Sequence, residues 1–299
     1  MKLASRCHGC LLSRVELECR LAGARRMKAE AIRAACADML AELSRVPELA
    51  APVIATQVHH LAYTLLGNDD PYHTVKIENT AAARETRKIV YREITTFSDH
   101  VLASVIGNAF DYGVQGHQVA QDFPRYFRDL FAQGLTIDDT RTMESLAGRI
   151  VYFTDNCGEI VFDRLFIEHL KRTGSHVTLV VKGAPILNDA TIRDAIALGL
   201  DTIVDCILTT GSGSIGIPVS PLPGPVAAAM DHSTLIIAKG MANYESLTEI
   251  SVNRPIAYLM AVKCDTIAES IGVPRGSLIA MLSRDAGEQG DITPCHTGQ

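Results

Sequence analysis

Two acidic residues far apart in the sequence each follow a short apolar run, a placement that could build a metal site. Asp155 and Asn156 come directly behind the apolar run 149–153, and Asp189 follows a second β-rich run at 176–181. Carboxylate and amide oxygens suit Mg²⁺ and Mn²⁺. Because ligands of open α/β sheets bind outside the carboxyl ends of the strands, both segments are candidates for one site. Asp155 could instead cap the helix that follows it.

A third polar segment adds a cation and another carboxylate. Behind the apolar run 233–238 come Lys239, Asn243 and Glu245. Acidic and amide side chains for a metal ion, together with a lysine for an anion, fit a metal-assisted phosphate site. Each of the three segments could also be an ordinary solvated loop.

Asn108 and Asp111 are spaced three residues apart, so they share one face of a predicted helix. Gly107 beside them allows a close approach of the backbone. This face could cover the sheet edge and contribute polar groups to the pocket. It could equally be a helix end with Asp111 in solvent.

These segments together resemble the damage-control phosphatases, which are metal-dependent phosphatases of sugar phosphates and related metabolites. The resemblance extends over about residues 5–285, and the motif set in chain order is more specific than any single motif. The N-terminal Cys7-His8-Gly9-Cys10 resembles the CxxC that marks the prokaryotic branch of that family. The segments that carry the resemblance are Asp70–Tyr72, Gly107–Asp111, Thr154–Glu159, Gly183–Asp189 and Lys239–Glu245.

The resemblance implies a divalent cation, Mg²⁺, Mn²⁺, Co²⁺ or Ni²⁺, held by Asp155, Asn156 and Asp189. It implies hydrolysis of a phosphomonoester of a small metabolite, with Asp155 and Asp189 as the catalytic carboxylates. The carboxylates fit attack on phosphorus by an aspartate as well as by a metal-bound water. The residues expected to line the substrate pocket are Asn108, Asp111, Glu159, Asn188, Lys239, Gly240, Asn243 and Glu245.

A glycine-rich loop favours a different class of enzyme. Gly211–Gly216 matches GxGxxG behind a predicted strand, as in nucleotide-cofactor oxidoreductases. That fingerprint needs a helix to open at its third glycine, and the four prolines within 218–225 forbid one. A loop whose backbone N–H groups reach a substrate phosphate is the better interpretation, and a plain flexible loop is an equal alternative to it.

Cysteine spacing provides a further alternative, a non-catalytic binding protein stabilised by zinc. Cys7 and Cys10 have the spacing of metal ligands or of a redox pair. A structural zinc ion needs four ligands, which Cys19 and Cys36 could complete, although their spacing matches no standard zinc knuckle. We favour a reduced pair packed near the N-terminal helices.

The elements that must position these residues change in character along the chain. Residues 1–145 are largely helical in pattern, whereas strand-like runs alternate with helices from residue 149 onward. Such alternation is typical of parallel strands with right-handed crossovers. We predict an α/β protein, a three-layer αβα sandwich with a mainly parallel sheet plus a helical N-terminal region. The predicted strands are 149–153, 176–181, 202–208, 233–238 and 256–262, and the predicted domains are 1–145, 146–285 and a flexible tail at 286–299.

Composition limits the partners. The chain has 299 residues and a net charge of -6, which argues against a general nucleic-acid binder. It contains no apolar stretch of about 18 residues, so no membrane association is expected. The N-terminus lacks a signal-peptide core, which favours a cytoplasmic location. A small phosphorylated metabolite is the expected partner, and the sequence does not indicate an oligomeric state.

Overall fold

The computed structural model of the protein describes residues 1–109, 123–218 and 222–283. The predicted fold class is confirmed, because the described residues form a mixed α/β structure around a seven-stranded, mostly parallel sheet. Every neighbouring pair of strands is parallel except the pair of β6 and β7. The strands are β1 (Ile137–Asp138), β2 (Arg149–Phe153), β3 (His176–Val181), β4 (Cys206–Thr209), β5 (Leu235–Lys239), β6 (Ile256–Ala261) and β7 (Leu278–Leu282).

Helices cover both faces of this sheet. Those of the N-terminal half are α1 (Cys7–Leu21), α2 (Arg26–Leu43), α3 (Ala51–Leu66), α4 (His73–Val90), α5 (Phe97–Ala109) and α6 (Phe123–Gln133). Those of the C-terminal half are α7 (Thr140–Leu146), α8 (Ile160–Arg172), α9 (Ile192–Ala197), α10 (Gly224–Asp231), α11 (Gly240–Leu247) and α12 (Asp265–Ile271).

The central strands are apolar on both sides because both sides are buried. In β2, Ile150 and Tyr152 pack into a core shared with α4, α5 and α8. Val151 and Phe153 point to the opposite core, which α10, α11 and α12 complete. Alternate residues of each strand therefore serve different helical layers, and the result is the predicted three-layer sandwich.

The first three helices have a core of their own. Val15, Cys19, Cys36 and Val58 are buried where α1, α2 and α3 meet, and Ile186 from the segment behind β3 packs against them. This contact places the helical layer beside the carboxyl ends of the strands. β1 lies within the stretch predicted as helical and pairs with β7, so the division of the chain at residue 145 stays a prediction.

Two strand predictions were displaced and two strands were missed. The strand predicted at 202–208 begins only at Cys206, because Gly199 adopts a left-handed conformation and Leu200–Thr202 form a 3₁₀ turn. The strand predicted at 233–238 lies at Leu235–Lys239. The strands not predicted are β1, which has two residues, and β7, which pairs with both β1 and β6.

The strand order β1-β7-β6-β5-β2-β3-β4 sets the location of the site. The chain leaves β2 toward β3 and β4 on one side and then returns to β5 on the other. The crevice between the carboxyl ends of β2 and β5 is thus a topological switch point, where open α/β sheets bind ligands. None of the helices in the described part of the chain has the length and apolarity needed to cross a bilayer.

Candidate active site

The segments behind β2 and β5 meet closely at the switch point. Gly240 follows β5 with φ of 78°, and a Cβ placed on it would lie 1.9 Å from Oδ2 of Asp155. Only glycine leaves room for the carboxylate at this position. Asn243 ties the same two segments together, since its side-chain nitrogen donates to the carbonyl oxygens of Thr154 (3.1 Å) and Lys239 (2.7 Å).

The segment behind β3 runs beside the one behind β2. The backbone N–H of Ala190 donates to the carbonyl of Asp155 at 2.8 Å, and that of Cys157 donates to the carbonyl of Asn188 at 2.9 Å. Asn156 and Asp189 form an isolated antiparallel bridge between the two segments. The two predicted acidic segments are therefore adjacent along their backbones.

Two amide side chains hold one oxygen of Asp155. The side-chain nitrogens of Asn108 and Asn156 donate to Oδ2 of Asp155 at 3.0 and 2.9 Å. Both nitrogens also donate to Oε2 of Glu159, at 2.8 and 3.0 Å. Among the described residues, the hydrogen bonds from these amides fall on Oδ2 of Asp155 and none falls on Oδ1. Asp155 is half-buried, whereas Asn108, Asn156 and Glu159 are buried.

The carboxylates at this edge repel one another. Burial raises the pKa of Asp155 well above its usual value, and the negative charges of Glu159 and Asp189 raise it further. Burial also raises the pKa of Asp189, against the attraction of Lys182 and Lys76. A bound cation would relieve this repulsion, because it favours the ionised form of both groups.

The donor set fits a hard divalent cation. Oδ1 of Asp155, the side-chain oxygen of Asn156 and the carboxylate of Asp189 are all oxygen donors. Across the described ranges, no group of three or more His, Cys, Asp and Glu side chains is arranged to hold a metal ion. The candidate set contains only two residues of those four types, Asp155 and Asp189, and its third oxygen donor is an asparagine.

The alternative that Asp155 caps the following helix does not fit. α8 begins at Ile160, and its N-cap residue, Glu159, makes no side-chain capping bond. The Asp155 carboxylate instead accepts from the two asparagines.

Lys239 lies in an environment that disagrees with the expected phosphate contact. It is fully buried, with 0% of its surface exposed. Its ammonium group lies 2.5 Å from Glu159 and 2.6 Å from Asp163, and it donates to the carbonyl of Ser104 at 2.9 Å. Two of these oxygens accept hydrogen bonds from the ammonium group, and the third belongs to an ion pair, so protein oxygens surround a group that has no exposed surface.

Other lysines that the sequence interpretation had not assigned lie near the acidic residues. Lys263, just behind β6, and Lys182, just behind β3, both act to lower the pKa of Asp155. Lys182 also forms an ion pair with Asp189 at 3.4 Å. Lys76 near the start of α4 is 4% exposed and acts to lower the pKa of Asp189. The signal that could have found Lys182 and Lys263 is their position directly behind buried strands.

The remaining predicted pocket residues differ in their surroundings. Asn188 is buried beside Asp189. Glu245 is half-buried on α11, and burial raises the pKa of its carboxyl to about 7. Asp111 lies outside the described residues, as does the predicted tail at 286–299.

The glycine-rich loop serves close packing. A Cβ on Gly213 would lie 2.7 Å from the carbonyl oxygen of Pro185, and one on Gly216 would lie 2.2 Å from Oγ of Ser246. The described residues that follow Gly216 are not helical until α10 begins. The helix that a dinucleotide fingerprint needs is therefore missing at its third glycine.

The cysteines are dispersed in the described structure. Cys19 and Cys36 are buried in the core of the first three helices, whereas Cys10 is exposed and Cys7 lies 3.9 Å from the hydroxyl of Thr266. Among the described residues no zinc-binding cluster forms around them. The role of the Cys7 and Cys10 pair, including the prokaryotic branch that it suggests, stays a prediction.

Comparison with known proteins gives consistent matches over most of the chain. The family profile described as the damage-control phosphatase ARMT1-like domain matches residues 3–279. A damage-control phosphatase from Archaeoglobus fulgidus is 39% identical over 291 residues, which cover 94% of this chain and 99% of that protein. A damage-control phosphatase from Pyrococcus horikoshii is 32% identical over 243 residues, which cover 79% of this chain and 83% of that protein.

The fold has a counterpart among solved structures. A crystal structure of a DUF89 family protein from Pyrococcus horikoshii superposes with a TM-score of 0.85 at 28% sequence identity. The superposition covers 94% of this chain and 99% of that one.

Proposed function

The chain belongs to the damage-control phosphatase family with the ARMT1-like domain, and we propose that it hydrolyses phosphomonoesters of small metabolites, sugar phosphates in particular, with a divalent cation. The cation is Mg²⁺, Mn²⁺, Co²⁺ or Ni²⁺, and the residues that would hold it are Asp155, Asn156 and Asp189.

The observation that carries the proposal is the meeting of two acidic segments at the switch point of the sheet. Ala190 and Cys157 join these segments by backbone hydrogen bonds of 2.8 and 2.9 Å. A half-buried carboxylate then lies among lysines, where an anionic group and a cation can bind side by side.

The protein's own residues have distinct tasks in this scheme. Asn108 and Asn156 hold Oδ2 of Asp155 and thereby fix the direction of Oδ1. The positive charges of Lys182 and Lys263 favour an anionic group at the same edge of the sheet. Lys182 acts there from a buried position, since its ammonium group also donates to the carbonyl of Gly216. A bound cation would supply positive charge to the phosphate oxygens for an in-line displacement.

The experiment is a phosphate-release assay on the purified protein with a panel of sugar phosphates and the four metals. We expect activity that EDTA abolishes and that added metal restores. Asp155→Ala and Asp189→Ala should each remove activity and leave the fold intact. Asp205→Ala is the matched control, because this carboxylate pairs with Lys171 away from the site. Unaltered turnover in both site variants would refute the assignment.

A further inference from the structure

The strongest unused feature of the molecule is a buried ion cluster beneath the acidic edge. Its centre is Lys239, the last residue of β5, which lies between Glu159 and Asp163 at 2.5 and 2.6 Å. All three side chains are buried to 1% exposure or less. One positive charge thus serves two carboxylates in a dry environment, where a charge is retained only if it is paired and hydrogen-bonded.

Asp163 anchors the cluster to the framework. Its Oδ1 accepts from the hydroxyls of Ser104 at 2.7 Å and Tyr152 at 2.8 Å, in addition to Lys239. Lys239 donates in turn to the backbone carbonyl of Ser104 at 2.9 Å. The cluster therefore joins residues from α5, α8, β2 and β5 through hydrogen bonds.

Glu159 connects the cluster to the candidate metal ligands. Its Oε1 contacts Lys239, while its Oε2 accepts from the side-chain nitrogens of Asn108 and Asn156 at 2.8 and 3.0 Å. The same nitrogens face Asp155. If either amide rotated by half a turn, its oxygen would face two carboxylates, so Glu159 determines which end of each amide points inward.

A second hydrogen bond, to the other end of the amide, also fixes the orientation of Asn108. Its side-chain oxygen accepts from the backbone N–H of Ala261 at the end of β6, at 3.0 Å. The side-chain nitrogen of Asn108 therefore donates to Asp155 and Glu159, while its side-chain oxygen accepts from the sheet. The side-chain nitrogen of Asn156 also points at Asp155 and Glu159, so its side-chain oxygen faces away from these carboxylates and toward the proposed cation.

We propose that Lys239 is a positioning residue and not a phosphate ligand: it holds the Glu159 carboxylate in place, and Glu159 orients the amides of Asn108 and Asn156 so that the oxygen of Asn156 and Oδ1 of Asp155 are presented to the cation. This inference rests on the proposed function for the identity of the site. It leaves the attraction of phosphate to lysines other than Lys239, such as Lys182, Lys263 and Lys76.

The first test is Glu159→Gln, which preserves size and removes one acceptor. If the glutamine oxygen faces Lys239, its NH₂ group opposes the two asparagine nitrogens; if the oxygen faces the asparagines, the NH₂ group opposes the ammonium. We expect the Kd for Mn²⁺, measured without substrate by electron paramagnetic resonance, to rise about 10- to 100-fold, the range for groups that orient metal ligands. Glu168→Gln, on the same helix but outside the cluster, should leave it unchanged.

The second test is Lys239→Met, read by the same Mn²⁺ titration and by inhibition of turnover with inorganic phosphate at saturating Mn²⁺. Loss of Mn²⁺ affinity with an inhibition constant within about twofold of wild type supports positioning. A raised inhibition constant with unchanged Mn²⁺ affinity would make Lys239 a phosphate ligand and overturn the inference. Because Lys239→Met leaves two buried carboxylates unpaired and can prevent folding, Glu159→Gln then decides alone.

The outcomes separate this inference from the proposed function. Wild-type protein that binds Mn²⁺ and hydrolyses none of the esters contradicts the proposed function only. A folded Glu159→Gln variant whose Mn²⁺ affinity equals that of active wild type overturns the inference only. Wild-type protein without Mn²⁺ affinity, or a Glu159→Gln variant that does not fold, also overturns the inference, since Glu159 would then act on stability and not on orientation.

Discussion

At the scale of single residues, Gly240 has the most sharply defined role in the site. Its positive φ and its contact with Asp155 leave no space for a side chain. Gly240→Ala should therefore displace the Asp155 carboxylate. Because a misplacement of about 1 Å at a reacting group costs roughly 100-fold in rate, we expect a loss of that size in kcat, measured by phosphate release.

Gly272→Ala is the matched control for this variant. Gly272 also has a positive φ, 81°, but a Cβ there would meet no atom within 4 Å. It should lower stability through backbone strain alone and leave kcat unchanged. Equal kcat values in the two variants would contradict the steric role of Gly240.

The carboxyl of Glu245 predicts a pH dependence of stability. Burial raises its pKa in the folded protein to about 7, from 4.5. Between these values the folded protein binds a proton that the unfolded chain releases, so this residue makes folding less favourable as pH rises toward 7. Glu245→Gln should therefore melt a few degrees higher than wild type at pH 8, with a smaller gain at pH 5.

Glu269→Gln provides a comparison of opposite sign. A hydrogen bond from Arg6 lowers the pKa of Glu269. Replacing the Glu269 carboxylate by an amide should therefore not stabilise the protein at high pH. The pair is fully exposed, and its effect is expected to be small. A melting-temperature gain for Glu245→Gln that is the same at pH 5 and pH 8 would exclude a role for its titration.

Residue types and their position behind strands were sufficient to predict that Asp155 and Asp189 lie on one edge of the sheet. The same reasoning could not predict what surrounds Lys239. A lysine behind a strand is a surface cation in most contexts, and here α5 and α8 contribute the oxygens that bury it. Burial depends on which helix packs above the strand end, and local sequence does not encode that contact.

At the scale of elements, α1 and α3 share a buried contact between a histidine and a carboxyl side chain. Nδ1 of His59 lies 2.6 Å from Oε1 of Glu18, and both side chains are at most 1% exposed. Removal of one side chain leaves the polar group of the other buried without this partner, which costs about 1–3 kcal/mol. Glu18→Leu and His59→Leu should each show this loss in urea unfolding. The double variant should lose less than the sum, because neither polar group is then left without its partner.

An exposed pair between neighbouring helices is the control. Arg33 on α2 lies 2.5 Å from Glu16 on α1, with 47% and 44% of the side chains exposed. Glu16→Leu should cost no more than about 1 kcal/mol. Additive losses in the Glu18 and His59 double variant would mean that the two side chains do not stabilise each other.

The apolar pattern along the chain located some strands correctly and misplaced or missed others. β2 and β3 were predicted with the bounds that they have. Ile203 and Val204 gave the start of the run at 202–208 a strand-like pattern, but they are apolar because they pack against the core from a turn. β7 is a short apolar run, and only its pairing with β1 and β6 identifies it as a strand.

At the scale of the whole molecule, the proposed cation should stabilise the fold by mass action. A ligand that binds only the folded state at 100 times its Kd adds about 2.7 kcal/mol to the free energy of unfolding. We expect this gain with Mn²⁺ in urea denaturation. Asp155→Ala should abolish it, whereas Asp205→Ala should retain it. An equal gain in Asp155→Ala would locate the bound ion elsewhere.

The alternation of strands and helices made the three-layer architecture predictable, since a parallel sheet needs helices on both faces. The order of the strands was not predictable in this way. That the chain returns to place β5 beside β2 depends on contacts between distant segments, such as that of Val151 with Ile236. The switch point, and with it the crevice of the candidate site, follows only from that order.

The dispersal of the site along the chain has a consequence for its synthesis. Asn108 is held by the N–H of Ala261, and Gly240 forms the wall against Asp155. A ribosome therefore exposes both acidic loops well before the segments that orient them have left the exit tunnel. Nascent chains should therefore lack activity toward phosphate esters until Gly240 and Ala261 have emerged and packed against the two acidic loops.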